Sequence, residues 1–438
     1  MRSKKASRSH IHLPRATALM VAALMAGAPA FAEVSTADNS PALIAQLQQQ
    51  IREQEARLAK LEDLLAQAPQ SRPGTSPVIQ PAAPIGFVSG DKVSDSPASP
   101  PSRFKITGDM RLRYEHNSSD GEGRSDSRGV VRGRVAATYA ASPDLELGAR
   151  LVTGDPDDPN SADVSLSNFN DDLQVSLDQI YGKKVFGPLT LVGGKFANPF
   201  RRTDLVWDGD VNPQGLAAQY VAVDTGATRI GASALLFPIE RSVAAADSTA
   251  SGVQMTLDQQ VGSAWKLGLA AGYYDYEIEA TGTANSGDTR TNRLDSTGAY
   301  VSDFDLLDLI ATASYSGFGN RWPVRFQADA VQNLGADAYD TGYSLSASVG
   351  QTGSAGDYSF GYGYHQAEAD AVFAAFAQDN IAYGSNYLQH ALSASYAISD
   401  QLVLDTTLYA YRIKDTALIP LATDDWQQRL RINLVAHF

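Results

Sequence analysis

Arginines recur at two-residue spacing in three places: Arg111 and Arg113, Arg132 and Arg134, and Arg429 and Arg431, with Arg150 near the second pair. In an extended segment, residues two apart point to the same side, so each pair places two permanent positive charges on one face. A guanidinium stays charged at any relevant pH and is weakly hydrated, so such a set suits the filtering of solutes by charge. A second concentration of chemistry is the run Gly194 to Gly215, which mixes apolar anchors (Phe200, Leu205, Val206, Trp207) with Arg201, Arg202, Asp204, Asp208 and Asp210. Exposed loops seldom carry such anchors, and the run is expected to fold inward with its three aspartates facing the arginines.

Other chemistries fit less well. Asp208, Gly209, Asp210 and Asn212 have the spacing of a loose Ca²⁺ loop, but no closing glutamate follows and Pro213 does, so no metal site is expected. The chain has no cysteine, which excludes disulfides and thiolate chemistry. Beyond the N-terminal stretch the histidines are His116, His365, His390 and His437, none beside a nucleophile motif. Neither catalysis nor a cofactor is expected. The net charge of −14 argues against nucleic acid as a partner.

The elements that must position these residues are strands. In Trp426 to Phe438, Leu430, Ile432, Leu434, Ala436 and Phe438 alternate with Arg429, Arg431, Asn433 and His437. One face suits hydrocarbon and the other water, which is the pattern of a transmembrane barrel strand whose final aromatic, Phe438, lies in the interfacial girdle. Phe104 to Tyr114 repeats the alternation, as does Trp265 to Tyr273, and Tyr358, Phe360, Tyr362 and Tyr364 form an aromatic outer row. From Arg103 onward, short connections such as Phe186-Gly187-Pro188 alternate with long ones such as 155–172, 198–215, 277–304 and 368–386. This layout predicts an all-β, antiparallel transmembrane barrel of about sixteen strands over residues 103–438, wide enough for an aqueous lumen. A soluble sandwich would also alternate, but it would turn its apolar faces inward. The arginine-bearing strands, the first three and the last, become neighbours on closure, so the seven arginines form one wall.

The N-terminal quarter reads differently. Basic residues precede an apolar stretch from Ala18 to Ala26, and Ala30-Phe31-Ala32 supplies a cleavage site, so residues 1–32 are expected to be a signal peptide. Within 33–67, Ile44, Leu47, Ile51, Leu58, Leu61 and Leu65, with Gln54, follow the seam of a short coiled coil. An isolated amphipathic helix or spacer is the plainer reading. Residues 68–102 hold eight prolines and read as an extended linker.

The run TDLVWDGDVNPQG, with GKFANPF before it, resembles the signature stretch of a family of Gram-negative outer-membrane proteins called putative porins. The match falls on Trp207, Asp208, Gly209, Asp210, Asn212, Pro213 and Gly215, without assigning them individual roles. The seam is similar to the periplasmic coiled coils before some trimeric porin barrels. The resemblance implies a passive channel in the outer membrane, inserted by the barrel-assembly machinery, in contact with lipid, and a homotrimer with its helix in the periplasm. The wall of arginines also raises an anion- or phosphate-specific channel. The helix raises an envelope tether that contacts peptidoglycan or a periplasmic partner, with the barrel as anchor.

Overall fold

The computed structural model describes residues 103–438, apart from 121–124, 157, 168, 170–171, 243–245, 280–288 and 420–422. The expected signal peptide, coiled-coil seam and linker lie outside the described residues. The described chain forms one antiparallel sheet closed on itself. Its strands are β1 (Phe104–Ser119), β2 (Asp126–Ser142), β3 (Leu145–Thr153), β4 (Val164–Ser165), β5 (Val175–Phe186), β6 (Leu189–Lys195), β7 (Gln214–Asp224), β8 (Thr228–Glu240), β9 (Ser248–Val261), β10 (Trp265–Glu277), β11 (Phe304–Tyr315), β12 (Val324–Asn333), β13 (Thr341–Gly350), β14 (Tyr358–Ala367), β15 (Tyr387–Ser399), β16 (Leu402–Ile413) and β17 (Gln427–His437). Sixteen of these make the wall, each paired with its chain neighbours, and β17 closes on β1. The two-residue β4 belongs to the second long loop, which folds back to pair with Val130 and Val131 of β2.

The alternation explains the closure. Phe104, Ile106, Met110, Leu112 and Tyr114 are exposed on the outside of β1, as are Leu267 and Leu269 on β10 and Tyr358, Phe360 and Tyr362 on β14. Such a surface is stable against lipid, and closing the sheet leaves no unpaired edge within it. No described helix is long and apolar enough to cross a membrane. Crossing is by strands.

Two connections had no strong signal in the sequence, the turn 225–227 and the loop 334–340. Strands also run further into the long connections than expected: β1 and β2 reach Ser119 and Asp126, and β8 continues through Pro238 to Glu240. Pro238 is tolerated because the register shifts there. Another shift lies between β3 and β5, where Gln179 and Leu177 pair with Arg150 and Leu151 while Asp178 is left over. The extra residue re-aims Asp178 at Arg150.

Candidate functional site: the lumen and its inward loops

The lumen is divided into sectors by what each strand turns inward. The first is basic. Register places Arg111 of β1 directly opposite Arg132 of β2, Asp109 opposite Arg134, and Glu115 opposite both Arg128 of β2 and Arg431 of β17. Like charges facing across a ladder repel, and carboxylates between them offset this. Asp163 of the second loop pairs with Arg111 and, at 2.6 Å, with Arg113. Asp109 accepts from Arg132 at 3.1 Å and from Arg134 at 2.7 Å. Fully buried Glu115 accepts from Arg128 at 2.6 Å and Arg431 at 2.8 Å, and lies 3.8 Å from Arg429. Arg150 pairs with Asp178. All seven arginines thus occupy one wall, and each has a carboxylate beside it. Burial works against the charge on Asp163, yet Arg111 and Arg113 hold its carboxyl down to about 2.

The second sector is aromatic. Leu235, Phe237, Tyr274, Tyr276, Phe304, Leu306 and Val331 are buried on the inner face of β8 to β12. An apolar inner face next to water would be costly, and here two loops cover it. From the third long loop, Phe200, Leu205, Val206 and Trp207 are 1–5% exposed. From the seventh, Ala371 to Ala377, including Phe373 and Phe376, is at most 3% exposed. Trp207 meets Tyr274 edge-on at 5.6 Å, and Phe373 meets Phe304 edge-on at 5.3 Å, geometries that aromatic quadrupoles favour.

Backbone clamps fix the third loop on this face. Gln254 of β9 accepts from the Arg201 N–H and donates to the Arg201 carbonyl, both at 2.7 Å. Arg201 also pairs with Asp258 at 2.8 Å. Thr203 donates to Asp329. Arg202 remains at the loop surface and donates to the Gly209 carbonyl at 3.2 Å.

The three loop aspartates do not act alike. Asp210 reaches the basic wall, 3.2 Å from Arg134 and 3.9 Å from Arg132. Asp204 and Asp208 face the seventh loop instead of the arginines. Asp204 accepts from the Asn380 side chain at 2.9 Å, and the Asp208 backbone N–H donates to the Phe376 carbonyl at 2.8 Å. The reason is the seventh loop itself, which fills the space across which those two aspartates were expected to look. Burial lifts the Asp204 carboxyl to about 6 despite nearby Arg202, with Asp379 adding to the rise. Burial also raises the Asp208 carboxyl well above the usual carboxylate range, helped by Asp379, Asp204 and Asp210.

The seventh loop is the element that sequence reasoning missed, although its signal is the one used for the third loop. Ala371-Val372-Phe373-Ala374-Ala375-Phe376-Ala377 is an apolar run inside a long connection, and it needs something to pack on. Its tip bridges the sectors. Arg429 donates to the Asn380 carbonyl at 3.0 Å and Arg431 to the Asn380 side chain at 2.9 Å. Asn160 of the second loop donates to the Ala377 carbonyl at 2.7 Å, and Arg293 of the fifth loop pairs with Asp370 at 2.7 Å. Among the described residues no cluster of three or more His, Asp or Glu is placed to hold a metal ion.

The C-terminal aromatic sits at the other end of the wall. Phe438 exchanges backbone hydrogen bonds with Gly108 at 2.9 and 3.0 Å. Its ring occupies the space that a side chain at position 108 would take.

Comparison with known proteins agrees with this architecture. The family model described as putative porin matches residues 122–304. No curated protein matches the chain. Among solved structures, that of OprB from Pseudomonas putida is 12% identical with a TM-score of 0.51, covering 76% of this chain and 94% of its own. The anion-selective porin from Comamonas acidovorans is also 12% identical, with a TM-score of 0.47, over 76% of this chain and 99% of its own. The chain therefore has a barrel of the porin fold, and its residues 122–304 match the family model described as putative porin.

Proposed function

We propose that the protein is a general diffusion porin of the outer membrane, a water-filled channel through which ions and small hydrophilic solutes pass passively, and not an enzyme. The observation that carries this reading is that charged loops fold into a wide closed barrel and narrow it part-way along, with Asp210 set against Arg134. A constriction bordered by charges of both signs orients dipolar solutes and disfavours large apolar ones. It gives less reason for strong preference between anions and cations. An anion- or phosphate-specific channel would be better served by arginines free of acids, and here Asp109, Glu115, Asp163, Asp178 and Asp210 stand among them.

The working form is proposed to be a homotrimer, with the coiled-coil seam of residues 33–67 in the periplasm helping to hold three chains together. The test is single-channel recording of the purified mature protein in planar bilayers under a KCl gradient. Openings grouped in threes with a modest reversal potential support the reading. Inserted, folded barrels that pass no current overturn it and favour the tether. Deleting residues 33–102 separates the roles further: the channel should still conduct, whereas a tether would lose its envelope phenotype.

A further inference from the structure

The basic sector is occupied by loops, and so is the aromatic one. Asp163, Asp210 and Asn380 sit on the arginines, while Trp207, Phe373 and Phe376 cover the inner face of β8 to β12. A third sector is the inner face of β13, β14 and β15. By alternation its residues are Gly342, Ser344, Ser346 and Ser348, then Ser359, Gly361, Gly363 and His365, then Tyr387, Gln389, Ala391, Ser393 and Ser395. None is Asp, Glu, Lys or Arg, and most are too small to reach far into the lumen.

A gap of about 90 Å³ lies against this face, bordered across from it by Arg202, Thr203 and Asp204 of the third loop. That is room for about three water molecules at ~30 Å³ each. The glycines keep the gap open: a Cβ at position 361 would come within 2.6 Å of the Ser393 hydroxyl, and one at 363 within 2.5 Å of the His365 ring. Gln389, 2% exposed, borders the gap with its side-chain oxygen unpartnered among the described residues.

We infer that the permeation path runs along this small, uncharged face of β13 to β15 rather than along the arginine wall, and that it favours small neutral hydroxylated solutes over ions of equal size. The inference rests on the channel reading above and deepens it. Hydroxyls and amides on one side exchange hydrogen bonds with a polyol as readily as with water. On the other side Arg202 and Asp204 carry opposite charges, so neither ion type finds a uniformly attractive lining. Seven arginines would then serve chiefly to hold the inward loops, and their charge and that of their acids would reach the path only as a field across the lumen.

Because the chain has no cysteine, a single introduced thiol is unique, and each channel can be compared with itself before and after labelling. Ser346→Cys and Ser393→Cys place a thiol on the proposed path, and Ala136→Cys places one on the inner face of β2 in the basic sector. With the full mature chain conducting in a bilayer, a bulky thiol reagent at position 346 or 393 is expected to lower conductance about twofold or more, as obstruction at a constriction does. The same reagent at 136 should change it little. Liposome swelling should be faster with erythritol than with charged solutes of similar size.

If labelling at 136 blocks while labelling at 346 and 393 does not, the path follows the arginines and the inference is wrong. Faster entry of the charged solutes overturns the solute class alone. A protein that never conducts, labelled or not, instead overturns the channel reading on which both depend.

Discussion

The indole of Trp207 lies nearly parallel to the ring of Phe376, with centroids 5.8 Å apart and planes 13° from each other. Two loops separated by half of the barrel's strands are thereby packed as one body inside the lumen. Trp207 is 1% exposed and Phe376 3%, so neither loop can move without uncovering an aromatic surface.

Removing one of these rings should loosen that body without opening the wall. For Phe376→Ala the expected loss is about 3–5 kcal/mol, the usual cost of truncating a buried aromatic. It should fall on the loops, because the ring contacts Trp207, Phe237, Tyr276 and Phe373 and the strand ladder is untouched. Single-channel records should show larger and noisier currents, while the folded barrel keeps its mobility on unheated gels.

Glu115 behaves as a keystone of charge. It is wholly buried between Arg128, Arg429 and Arg431, so Glu115→Ala leaves several guanidinium groups without their acid. Removing one partner of a buried ion pair costs about 3–5 kcal/mol. Thermal unfolding followed by circular dichroism should therefore start at a clearly lower temperature. Glu115→Gln, which keeps the acceptor oxygen, should recover part of the loss.

Selectivity should respond to Asp210 and Arg134 in opposite directions. Arg134→Ala leaves Asp109 and Asp210 with less positive charge nearby, and reversal potentials should move toward cations. Asp210→Asn should move them toward anions. The double variant should return close to the original value, because removing both members of an ion pair leaves the local net charge unchanged.

Acidification gives a fourth handle. The Asp204 carboxyl is raised to about 6 from an ordinary 3.8, chiefly by burial, so the folded loop holds a proton that the unfolded chain would release. Its contribution favours the inward fold at low pH and is lost as pH rises from near 4 through about 6. Cation preference should accordingly weaken as pH falls through that window, when this carboxylate becomes neutral. Asp204→Asn should flatten the change between about pH 4 and pH 7. A step of unchanged size in that variant would assign the titration elsewhere.

The wall was largely legible in the sequence because alternation is a local property. Phe104 to Tyr114 declares its two faces without help from any other strand, and so does Trp265 to Tyr273. The convergence of the arginines followed from chain order plus closure. The carboxylates opposite them were harder to assign. Glu115 takes its place from the pairing of β1 with β17, and Asp163 from a loop that turns back onto β2. Both depend on long-range register, which no window of sequence contains. The burial of Val372 and Phe373 was visible in kind, as an apolar run in a long connection, but its covering role depends on the aromatic inner faces of β8 to β12.

The pairing of β1 with β17 also sets an order of events in assembly. Arg113 donates to the Asn433 side chain across a span of 320 residues, so the contact that seals the wall joins nearly the two ends of the described chain. Such closure is entropically slow. Until it forms, the outer strands present bare ladders that invite pairing with other chains. The bond from the Asn160 side chain of the second loop to the Ala377 carbonyl joins loops on the two sides of that seam, so the seventh loop reaches its final seat only as the seam shuts. An incomplete barrel is therefore also one whose lumen has yet to acquire its filter.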